Sequence, residues 1–104
     1  MSMNTNILFT WDDEKEKLNT LKHKVSFKEA STVFVTDSNM LTIYDSEHSE
    51  YEDRWITIGL SSSLKILTVI HTNKQIDKHK VEIRIISSRK ADKEEIKQYK
   101  EGVL

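Results

Sequence analysis

The 104-residue chain has no cysteine, no proline and only two glycines, Gly59 and Gly102. Without cysteine there is no disulfide, no thiolate nucleophile and no cysteine-ligated zinc, so burial of apolar side chains must hold the fold together. The scarcity of proline and glycine leaves no linker, no low-complexity stretch and no Gly-rich phosphate loop. No apolar run approaches the roughly 20 residues that span a bilayer, and the polar residues 1–6 lack a secretory apolar region. A cytoplasmic protein is expected. The four histidines are scattered without metal-ligand spacing, and no Ser-centred nucleophile elbow occurs, so no metal and no cofactor is expected. At 37% apolar residues, this length allows one modest core, and residues 1–104 are read as one domain.

What is present is charge, unevenly distributed. The formal net charge is −1, yet residues 1–53 hold 5 Lys/Arg against 11 Asp/Glu, and residues 54–104 hold 11 against 6. If folding keeps the halves apart, one face could hold phosphate while the other steers a basic partner; a well-mixed solvated surface is the alternative.

Residues 7–11, Ile-Leu-Phe-Thr-Trp, read as a strand, and Asp12-Asp13-Glu14 supply the acidic first turn of a solvated helix that Lys22-His23-Lys24 ends. Ser26 and Glu29 have capping-box spacing, and Phe27, Ala30, Val33 and Phe34 form the apolar stripe of a second helix. Residues 41–44, 54–60, 64–72 and 81–87 are strand candidates. Their short links, including residues 73–80 read as a turn, favour an antiparallel meander. Residues 45–53, with Asp45, Glu47, Glu50, Glu52 and Asp53, read as a mobile acidic loop. Asp92 is a good N-cap for a terminal helix that Gly102 follows. The expected class is α+β: a small antiparallel sheet with N-terminal helices and a C-terminal helix.

Arginine and histidine within sheet-forming segments are costly to bury, so their concentration there points to a cationic face for an anion, RNA phosphate being the candidate. By strand parity Glu82, Arg84, Ile86 and Ser88 share a side, opposite Val81, Ile83, Ile85 and Ser87. Arg84 and Arg89 could clamp one phosphate, or could simply pair with Glu82 or Glu29. His71, in line with Val69 and Leu67, suits proton transfer, though a hydrogen-bonded core histidine fits equally. Lys22 and His23 could bind RNA or offset the helix C-terminus, the second being preferred.

The ordered fragments Phe9-Thr10-Trp11-Asp12, Lys22-His23, Val25 to Ala30, Val33-Phe34, His48-Ser49-Glu50, Glu52-Asp53-Arg54, Thr57-Ile58-Gly59, Val69 to Thr72 and Ile83 to Ala91 closely resemble the BrnT family of bacterial toxins. The resemblance extends over about residues 7–101. It implies a RelE-like fold and a type II toxin that cleaves RNA and slows translation, neutralised as a hetero-oligomer by a BrnA-type antitoxin. Operator DNA would be met only through that antitoxin. It further implies a metal-independent attack of the RNA 2′-hydroxyl on its own 3′-phosphate, with His71 moving the proton, Arg84 and Arg89 stabilising charge, and Arg54, Lys22 and His23 binding phosphate. A toxin-fold protein that has lost catalysis and acts as an RNA- or protein-binding co-repressor subunit is the alternative. Lys24 stands where the family usually has glycine after Lys-His, at a position suited to a left-handed helix cap. Ser88 stands where alanine is common.

Overall fold

The computed structural model describes residues 6–102. The chain runs β1 (Asn6–Thr10), α1 (Asp13–His23), α2 (Phe27–Thr36), β2 (Leu41–Tyr44), β3 (Trp55–Leu60), β4 (Ile66–His71), β5 (Lys74–Asp77), β6 (Lys80–Lys90) and α3 (Lys93–Glu101). The strand order β1-β6-β4-β3-β2 makes an α+β fold around a mixed sheet. β2, β3, β4 and β6 are antiparallel neighbours, but β1 pairs with β6 in parallel, from Asn6 opposite Lys80 to Thr10 opposite Arg84. The expectation of an antiparallel sheet is corrected there, because β1 makes the sheet mixed. Short links constrain only strands adjacent in sequence, and β1 reaches the far side of β6 through both N-terminal helices and the rest of the sheet.

A second correction concerns residues 73–80, expected to be a turn. Lys74–Asp77 continues the line of β4 along the first part of β6, with Lys74 opposite Glu82. Its four residues are exposed, so no apolar alternation announces the strand.

The helix termini follow their side chains. Asp12, Ser26 and Asp92 each accept a hydrogen bond from a backbone N–H in the first turn of the helix that follows, and Asp92 with Glu95 forms a reciprocal capping box. Lys24 closes α1 at φ 60°, its N–H donating to the Thr20 carbonyl. Gly102 takes the left-handed position after α3. α2 turns Phe27, Ala30 and Val33 onto the sheet, where they meet Val25, Leu67, Val69, Ile83 and Ile85. Full burial of a side chain such as Phe27 contributes about 1.5–3 kcal/mol. Gly59 lies beneath α2, and a Cβ there would collide with Val33, so the close approach of helix and strand requires glycine.

α1 keeps Leu18 and Leu21 in solvent and buries only Asn19. The Asn19 amide donates to the Ser88 carbonyl at 2.8 Å and accepts from the Ser88 N–H at 3.1 Å, standing in for a strand along β6 where β1 has ended. α3 lies over the other face of the sheet, joined to it by the Thr68 hydroxyl donating to Glu95 at 3.0 Å. None of the described helices is long and apolar enough to cross a membrane.

Candidate functional site

The site begins with an irregularity in β6. Ile70 stands opposite Ser87, but His71 stands opposite Ile85, so Ile86 is an extra residue on the β6 side. Such a bulge reverses the alternation beyond it. Ile83, Ile85 and Ser88 therefore face the helix-covered core, while Arg84, Ser87 and Arg89 face the other side. Uninterrupted parity would have put Ser88 with Arg84; the bulge instead brings the two arginines to one face.

That face carries a cleft made of three adjoining hollows. One is lined by Glu52, Thr72, Lys74, Glu82 and Arg84. The next is lined by Trp11, Lys15, Glu52, Arg84 and Ile86. The third, about 380 Å³, is lined by Asp45, His48, Arg54, Ile70, Ser87 and Arg89, among others. Arg54, placed just before β3, thus joins Arg84 and Arg89 along one surface.

Carboxylates occupy the guanidinium groups. Glu52 binds the Arg84 Nη2 through both oxygens, at 2.6 Å for Oε2, and lies 3.7 Å from the Arg54 Nη2. Glu95 binds Arg89 at 2.7 and 3.0 Å. The arginines are therefore ion-paired, though with Glu52 and Glu95 rather than with Glu82 or Glu29. The Arg84 guanidinium, opposed by a smaller effect of burial, holds the Glu52 carboxyl below its ordinary value. Burial acts to raise Glu95, but Arg89, the Asp92 N–H and the Thr68 hydroxyl together hold it below its ordinary value. The Arg54 Nε is buried and has no hydrogen-bond partner among the described residues.

Backbone and side-chain hydrogen bonds close residues 45–54 on themselves. The Asp45 N–H donates to the Arg54 carbonyl at 2.9 Å, and the Ser49 hydroxyl donates to the Asp45 carbonyl at 2.6 Å while accepting from the Arg54 N–H at 2.9 Å. This closure folds the acidic loop against the cationic strands, so the two oppositely charged halves of the chain meet at the cleft. The His48 Nδ1 lies 3.1 and 3.0 Å from the two Asp45 carboxylate oxygens. The sequence reading assigns no site role to Glu52, Glu95, Asp45 or His48, although His48 and Glu52 lie in the fragments His48-Ser49-Glu50 and Glu52-Asp53-Arg54 that carry the family resemblance.

His71 lies elsewhere. It is buried on the helix-covered face, its Nδ1–H donates to the Thr72 carbonyl at 3.0 Å, and its Nε2 accepts from the Thr57 hydroxyl at 2.6 Å. The edge of Phe34 closes over the ring, with centroids 4.8 Å apart. Burial, partly countered by the Thr72 bond, pushes the imidazole below its ordinary value. Lys22 and His23, in the last turn of α1, line none of the three hollows. Neither His71 nor these two residues is brought to the arginine cleft. Among the described residues no group of three or more His, Asp or Glu side chains is arranged to hold a metal ion.

A family model described as the ribonuclease toxin BrnT of type II toxin-antitoxin systems matches residues 11–95. The chain belongs to the BrnT family. Every arginine of the cleft and both of their carboxylate partners fall within the matched span. The crystal structure of the Brucella abortus ribonuclease toxin BrnT superposes with a TM-score of 0.56 at 20% identity, covering 88% of this chain and 100% of that one, a likeness of fold. No curated protein matched the sequence. Three guanidinium groups on one sheet face are chemically suited to holding an anion such as phosphate.

Proposed function

We propose that this BrnT-family chain is a metal-independent endoribonuclease of RelE-like type, which inhibits translation by cutting RNA in the arginine cleft. The observation that carries this reading is Glu52, a planar carboxylate lying between Arg84 and Arg54. A phosphodiester offers a similar pair of anionic oxygens, so RNA can displace Glu52 and take its place. Arg89, beside Ser87 at the end of β6, supplies a second positive edge. The RNA 2′-oxygen then attacks the adjacent phosphorus, the 5′-oxygen leaves, and the products are a 2′,3′-cyclic phosphate and a 5′-hydroxyl. The guanidinium groups stabilise the charge that builds on the non-bridging oxygens, which typically accounts for about 100- to 1,000-fold in rate per donor.

A BrnA-type antitoxin would neutralise the protein by covering the same cleft in a hetero-oligomer, blocking RNA and offsetting the arginine charge; operator DNA would be contacted by the antitoxin alone. Lys22 and His23 are left with the negative C-terminal end of α1, and His71 with a core role. Inducible expression in a bacterial host tests the reading. The expected result is growth arrest with fragmented RNA, relieved by Arg84→Ala at equal soluble expression. Normal growth with intact RNA would contradict it and favour a subunit that binds without cutting.

A further inference from the structure

One titratable pair in the cleft is not used by the arginine chemistry. The Asp45 carboxylate is almost fully covered, at 7% exposure, whereas the His48 side chain is 64% exposed. The Asp45 backbone is fixed at both its N–H and its carbonyl by the loop closure, so the carboxylate holds a defined position. With both oxygens of that carboxylate 3.0–3.1 Å from Nδ1, the proton of a neutral His48 ring resides on Nδ1. The basic lone pair is then on Nε2, away from Asp45. His48 shares its hollow with Arg54 and Arg89 as the cations, Glu47 and Asp45 as the anions, and Ser87. The Arg54 Nε in the same wall is a buried donor with no acceptor among the described residues.

We infer that His48 is the general base of RNA cleavage and that Asp45 is its positioning residue, an assignment resting on the ribonuclease reading above. The Nε2 atom takes the proton of the 2′-hydroxyl as the 2′-oxygen bonds to phosphorus. The bond from phosphorus to the 5′-oxygen breaks, and the departing oxygen takes a proton from water in the open cleft. His48 returns its proton to solvent, so the cycle is balanced without a cofactor. The arrangement is a carboxylate-oriented imidazole next to guanidinium groups, with the nitrogen that must act left free. By contrast, His71 has both ring nitrogens engaged inside the core.

The competing explanation is that Asp45–His48 merely staples the loop. A glutamine at position 48 can still donate to Asp45 but cannot act as a base near neutrality. Purified wild type, His48→Gln, His48→Ala and Asp45→Asn should be compared on a fluorescent RNA oligonucleotide, with thermal melting as the folding control. The expected result is a cleavage rate at least about 100-fold lower for His48→Gln at unchanged melting temperature. Free imidazole should partly restore His48→Ala, and Asp45→Asn should lower kcat with KM unchanged. Wild-type cleavage matched by His48→Gln would overturn the base assignment alone, as would loss in His48→Ala that imidazole leaves unrescued. No cleavage by the wild type would overturn the ribonuclease reading with it.

Discussion

Glu52 joins two of the cleft's three arginines: it holds Arg84 and approaches Arg54, so RNA binding at the proposed site requires that this carboxylate be displaced. Glu52→Gln should therefore bind RNA more tightly at low salt. Its affinity should fall more steeply with salt, by about 0.7 in the log–log slope for each guanidinium released to a single-stranded phosphate. Fluorescence anisotropy across a salt series measures both, and an unchanged slope would mean that Glu52 does not compete with phosphate. His71 acts on stability instead. Burial keeps it neutral in the fold, while the unfolded chain takes up a proton near the ordinary value of 6.5. The unfolded state thus binds more protons below that pH, so the stability associated with neutral His71 is complete above it and declines as pH falls. Urea unfolding at pH 7.5 and 5.5 should show wild type losing more stability than His71→Asn. At this scale the cations were readable, since arginines within apolar strands stand out. The choice between proton carrier and core residue for His71 was not, because strand parity gives two faces without saying which one the helices cover.

Helix boundaries were well encoded in Asp12, Ser26, Asp92 and Gly102, whose side chains or backbone freedom act locally. Lys24 was legible as a departure from the family's glycine and takes the left-handed conformation at φ 60°. A residue with a Cβ is disfavoured there by about 1–2 kcal/mol, partly offset by glycine's greater freedom in the unfolded chain. Lys24→Gly should raise stability by about 0.5–1 kcal/mol, seen as a melting temperature higher by a few degrees. An unchanged or lower value would indicate that the lysine side chain makes a compensating interaction. The strand pattern was less complete in the sequence. β5 has no apolar alternation, and the bulge at Ile86 depends on how β6 meets β4, which no local spacing encodes. That bulge turns Arg84 and Arg89 to the same side.

At the scale of the whole molecule, the division of charge along the sequence is reorganised by the fold. The acidic loop of residues 45–53 from the first half returns over the basic strands of the second, so Glu52 meets Arg84 and Asp45 lines the hollow that holds Arg89. A cleft neutralised by its own carboxylates reconciles a net charge of −1 with an anionic substrate. The core and both N-terminal helices occupy one face of the sheet, and the arginines lie on the other together with α3. Under the proposed function, guanidinium groups cut RNA in this cleft without a metal. The most direct test is the cleavage rate of a fluorescent RNA by purified wild type and Arg84→Ala in excess chelator, with product ends identified by mass spectrometry. The expected result is a 2′,3′-cyclic phosphate from the wild type and a rate about 100-fold or more lower for Arg84→Ala at unchanged melting temperature. Equal cleavage by both proteins, or cleavage only when a divalent cation is restored, would contradict it.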